Sequence, residues 1–226
     1  MNRTLTGKVC LALAGALITA AVALAENPQR YEVTITNLTR GQTFTPVMVA
    51  SHRAGVTIFD LGSAASVPLE ILAEDGGTSP LEELLLSNPD VRDTTNSGAP
   101  PEGFVLPGAS KTLTVEAGAG FDHISLAAML IPTNDGFVAL NGIAAPVGNK
   151  VLTVFAPAYD AGTEANDELC ASIPGPHCGG EGFNESREGA EGFVHIHAGI
   201  QGVGDLDPAM RDWQNPVARI TIRRFK

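Results

Sequence analysis

Tyr31-Glu32-Val33-Thr34-Ile35-Thr36-Asn37 alternates apolar and polar side chains with a period of two. Successive side chains of a strand point to opposite faces, so Tyr31, Val33 and Ile35 share one face. The same alternation returns near the C-terminus in Val217-Ala218-Arg219-Ile220-Thr221-Ile222-Arg223-Arg224, where the arginines fall on a solvent-facing side. Between these two stretches, strand patterns are predicted at residues 44–50, 111–116, 123–131, 137–140, 151–155 and 193–197. Pro46 places residues 44–50 at a sheet edge or a bulge. Short helices are predicted at 66–74 and 79–87. In the second, Ser79 is read as a cap, Pro80 as the first helical position and Glu82 as the partner in a capping box. Leu81, Leu84 and Leu85 then form an apolar stripe. Residues 88–103 are read as a loop, because Asn88-Pro89-Asp90, Asn96-Ser97-Gly98 and Pro100-Pro101 all favour turns. Eight strands, long loops and two short helices predict an all-β fold, an antiparallel β-sandwich.

The composition agrees. Of 226 residues, 44% are hydrophobic and 17% charged, which excludes a disordered, charge-rich chain. There are 25 glycines and 15 prolines, as frequent turns require. The net charge of −11 argues against nucleic acid as a partner, since backbone phosphate has to be met by clustered Lys and Arg.

Arg3 and Lys8 precede an uncharged apolar run over 9–24, and Ala23-Leu24-Ala25 gives a small-x-small cleavage site. This is the pattern of a secretory signal peptide over residues 1–25, with a retained membrane anchor as the alternative. Cleavage leaves one domain, residues 26–226, destined for the periplasm or the medium and not transmembrane. It also removes Cys10. Cys170 and Cys178 remain, and in an exported chain they read as a local disulfide; a pair of thiolate metal ligands is the alternative.

Residues 157–192 have no alternation and hold eight acids against one base, Arg187. A loop of that length in a compact domain is functional or disordered. Two acids stand out by position. Asp135 follows the 123–131 strand, and Asp160 follows the 151–155 strand, with Gly162 between Asp160 and Glu164. Loops that leave one end of a sandwich supply the hard oxygen ligands that calcium takes. Solvated turn acids are the plainer reading of the same residues.

Ile131-Pro132-Thr133-Asn134-Asp135-Gly136-Phe137-Val138 resembles the Pro-Ser-Pro-Asp-Trp-Phe-Val segment of spondin N-terminal domains. Tyr159-Asp160-Ala161-Gly162-Thr163-Glu164 is similar to that family's Tyr-Asp-Ala-Gly-Thr-Asp. Pro216-Val217-Ala218-Arg219-Ile220-Thr221 resembles its closing strand. The likeness spans about residues 30–226, with the specific matches in 123–164. It implies a C2-like β-sandwich with one Ca2+ held by Asp135, Asp160 and Glu164, where Glu164 replaces an aspartate. It also implies an extracellular or envelope partner, protein or glycan. Gly136 stands where animal members carry Trp, which removes a large exposed anchor.

His195 and His197 form a rival site. Two imidazoles at i and i+2 share a strand face and are able to share copper or zinc, as in an oxidoreductase-like metalloenzyme. Polar strand residues bonded to the acidic loop are the simpler reading. No Gly-x-Ser-x-Gly elbow and no phosphate-binding Gly-x-x-x-x-Gly-Lys motif is present. The sequence therefore predicts an exported calcium-binding adhesion or binding module rather than an enzyme.

Overall fold

The computed structural model describes residues 29–225, and the signal segment read at 1–25 lies outside them. Two antiparallel sheets face one another. The first has the strand order β5 (Ser110–Ala117), β1 (Gln29–Asn37), β11 (Ala218–Phe225), β8 (Val151–Ala156). The second runs β10 (His195–Ile196), β9 (Ala158–Asp160), β7 (Gly136–Ala144), β6 (His123–Ile131), β3 (Met48–His52), β4 (Val91–Asn96), and β2 (Thr43–Phe44) also pairs with β6. The protein is an all-β antiparallel sandwich.

The alternating stretches take the central places. Val33 lies opposite Ile222 and Ile35 opposite Ile220 across the β1–β11 pair, and all four are buried. They pack against Ile124, Leu126, Ala128 and Leu130 of β6 to fill the space between the sheets. On the outer face Arg223 pairs with Glu32. β6 is buried on both faces because α1 (Val67–Asp75) and α2 (Ser79–Leu86) cover the far side of the second sheet. There Leu69, Leu72, Leu81 and Leu85 meet Met48, Ala127 and Phe137.

Local chemistry sets several boundaries differently from the sequence reading. α2 is capped by Thr78 without a side-chain bond, so Ser79 is its first residue. Glu82 accepts from Asn96 instead of closing a capping box. Leu81 and Leu85 are buried, one turn apart, whereas Leu84 points outward and is 45% exposed. The 44–50 strand is broken at Pro46 into β2 and β3, since proline offers no ladder donor. Residues 91–96 of the supposed 88–103 loop form β4, the edge strand beside β3. The 193–197 strand is only two residues long.

The acidic segment is ordered by contacts of its own. It contains a 3-10 turn (Cys170–Ser172) and α3 (Gly175–Cys178), and Cys170 and Cys178 form a disulfide. Ile173 packs with Ile200 and Leu206 in a small separate core, beside α4 (Pro208–Arg211).

Burial makes a clear contrast in α1 and α2. Leu72→Ala should cost about 2–5 kcal/mol of unfolding free energy, while Leu84→Ala should stay within about 0.5 kcal/mol. Urea unfolding followed by circular dichroism measures both, and equal losses would contradict the three-layer packing.

Candidate metal centre

The strand register brings the two singled-out aspartates to one place. Gly136, immediately after Asp135, lies opposite Asp160 in the β7–β9 pair. Asp160 lies opposite His195 in the β9–β10 pair. This arrangement depends on the chain changing sheets at Pro157, between β8 and β9. Asp160 therefore ends its own short strand rather than extending the 151–155 strand.

Asp135 is fully buried. Its Oδ2 accepts from the amides of Thr163 at 2.7 Å and Glu164 at 3.2 Å, but its Oδ1 meets no donor. Asp160 is also buried. Its Oδ1 accepts from Gly162 N at 2.8 Å and its Oδ2 from Asn166 Nδ2 at 2.7 Å. Gly162 has φ +65, and a Cβ there would come within 2.3 Å of Phe193 O, so this turn requires glycine. The Glu164 carboxylate accepts from Asn184 Nδ2 through Oε1, and its Oε2 has no donor. Beside it lies Glu74, in the last turn of α1, with Oε2 accepting from Asn184 N and Oε1 unpartnered.

Among the described residues, other buried acids are answered. Glu70 is paired with Arg187. Glu168 accepts from the amides of Gln201, Gly202 and Val203. Among the described residues, Glu74, Asp135 and Glu164 are the buried acids that keep an unmatched oxygen. Burial, then the charge of Asp160, pushes Asp135 up to about 8 against the pull of the Thr163 and Glu164 amides. Burial, then Glu74 and Asp135, pushes Glu164 up to about 8. Burial also raises Asp160 and Glu74. Glu164, Asn134, Asp167, Asn184, Ser186 and Glu188 line a polar cleft of about 140 Å3.

Asp135, Asp160 and Glu164 are thus gathered at one end of the second sheet. Among the described residues, the set whose ligand atoms all lie within 4.8 Å of one another is different, however: Asp160, Glu191 and His195. His197 is not in it. Its ring packs on Trp213, its Nδ1 accepts from Gly199 N, and its buried Nε2 has no partner. Burial, then His195, pushes it down to about 4. Gly136 faces inward, where a Cβ would lie 2.7 Å from Thr133 Oγ1 and 3.0 Å from His197 Cδ2. In this chain the position is interior and not a place for an exposed anchor. Sequence reasoning missed Glu74 and Glu191. Neither carries a local signal, since an acid in a helix or an acidic loop is ordinarily solvated.

Two facing antiparallel sheets with a cluster of buried acids at the loop end define an antiparallel β-sandwich with an acidic loop end. The Spondin_N family model matches residues 27–167, more than half of the chain, and the protein belongs to that family, which is not an enzyme family. The match includes Asp135, Asp160 and Glu164 and stops short of Glu191 and His195. No curated protein matches the chain.

A carboxyl whose folded pKa lies above its unfolded value stabilises fully below the unfolded pKa, and that contribution disappears as pH rises through the folded one. With chelator present, the urea midpoint should therefore fall from about pH 4 to about pH 8, and Asp135→Asn should flatten the fall. A midpoint that holds or rises over that range in the chelated protein would contradict the burial of these acids.

Proposed function

We propose that the protein is an exported, calcium-stabilised binding module acting at or outside the cell envelope. The reading rests on one observation: buried oxygens of Asp135, Glu164 and Glu74 lack donors at the same end of the sandwich. Calcium accepts six to eight oxygen ligands from flexible acidic loops, and this donor set is all carboxylate. Asp135, Asp160 and Glu164 would hold the ion, with Glu74 adding a carboxylate from α1. Bound calcium supplies the positive charge that lets these groups remain ionised, and so fastens residues 160–168 to the turn before β7.

Family membership supports an extracellular role. The Cys170–Cys178 disulfide is consistent with an oxidising compartment. No helix among the described residues is long and apolar enough to cross a membrane. A protein or glycan partner follows from the adhesion character that the family resemblance implies. A copper or zinc enzyme built on His195 and His197 has less support, because the His197 ring is packed against Trp213.

Calcium at about 100 times its Kd stabilises by about 2.7 kcal/mol. For a chain of this size that corresponds to about 5–10 °C in Tm. EGTA should remove this increment, and Asp160→Asn should lack it from the start. Melting curves unchanged in both cases would overturn the proposal.

A further inference from the structure

We propose that Asp160, Glu191 and His195 form a second metal site, of the zinc class, on the solvent side of the carboxylate cluster. Two of the three, Glu191 and His195, lie four residues apart, and Asp160 comes from a separate strand. Asp160 ends β9, His195 opens β10 directly opposite it, and Glu191 precedes β10 on the acidic loop. One ligand atom from each lies within 4.8 Å of the others. Among the described residues, no Lys or Arg pairs with either carboxylate, and the nearest basic group is His195 Nδ1, 3.6 Å from Asp160 Oδ1.

The surroundings hold these groups in place. Asn166 Nδ2 donates to Asp160 Oδ2 at 2.7 Å and to Glu191 Oε1 at 3.1 Å, so a single amide spans both carboxylates. Such bonds from outside the ligand set orient metal-binding side chains. The His195 ring rests against Phe193 at 5.3 Å between centroids. Asp160 is buried, His195 is partly exposed and Glu191 is exposed, so an ion reaches the site directly from solvent. Behind it stands Asp135, fully buried with Oδ1 unpartnered, one residue before the partner of Asp160 in the β7–β9 register.

The ligand chemistry separates this site from the calcium position. Calcium and magnesium take oxygen donors, whereas an imidazole beside two carboxylates suits zinc and its neighbours in the first transition row. Three protein ligands also leave a coordination position open to water. Asp160, with two oxygens, is the residue common to both positions.

Zinc chloride titrated calorimetrically into the calcium-saturated mature chain tests the assignment, with cobalt(II) absorption as the readout of ligand type. The expected result is one zinc per chain, with affinity falling at least about tenfold in His195→Ala and in Glu191→Gln. Both side chains reach solvent, so these variants should keep the wild-type circular dichroism and the calcium-dependent Tm. Glu164→Gln should lose calcium stabilisation and keep zinc. No zinc uptake by the wild type, uptake untouched by the His195 and Glu191 variants, or strict mutual exclusion of zinc and calcium would each overturn the second site. Zinc binding without any calcium effect would overturn the calcium proposal and leave this one standing.

Discussion

A carboxylate taken out of water has to be met by donors, by a cation or by a proton. The loop end of this sandwich is organised around that requirement. Glu70 meets it with Arg187 and Glu168 with three backbone amides. Asp135, Glu164 and Glu74 are buried with one oxygen each unanswered. Without an ion, the remaining solution is to stay protonated, which is why burial carries Asp135 and Glu164 up to about 8. A divalent ion is the alternative that leaves the carboxylates charged and the loops attached.

The sheets supply the positions. β7 and β9 are neighbours only because the chain leaves the first sheet at Pro157 and enters the second, and their register sets Gly136 against Asp160. Two glycines make the close approach feasible, since neither Gly136 nor Gly162 has space for a Cβ. The 164–192 segment then closes over the acids from outside. The Asn184 side chain and backbone amide reach Glu164 and Glu74, and Asn134 exchanges bonds with Asp167 and the Glu168 amide. The end of β9 thus presents Asp160 and the turn before β7 presents Asp135, while the loop contributes Glu164, Glu191 and the amides that orient them.

Much of this was legible in the sequence where one face of a strand is buried and the other wet. β1 and β11 show it best, because Val33, Ile35, Ile220 and Ile222 alternate with polar residues over their whole length. β4 was illegible for the opposite reason. Arg92, Asp93, Thr94 and Thr95 lie on an edge strand with little burial on either face, so no period develops. β9 is three residues long, too short for periodicity, yet it carries Asp160. The meeting of Asp135 with the 160–164 turn followed from local turn motifs and the family likeness. Glu74 and Glu191 did not, since their place is set by contacts with residues far away in the chain. His195 and His197 were read either as a metal pair or as strand residues bonded to the acidic loop; the strand opposite sets His195 against Asp160 of that loop.

On the proposed calcium reading, a divalent ion replaces the proton that burial favours on Asp135 and Glu164, both pushed up to about 8. Calcium titration by calorimetry near pH 6.5, repeated in buffers of different ionisation enthalpy, measures that exchange directly. On the order of one proton or more should leave the protein for each calcium bound, because metal binding requires deprotonated ligands. Calcium binding that releases no proton would show that the carboxylates were already ionised, and would contradict the claim.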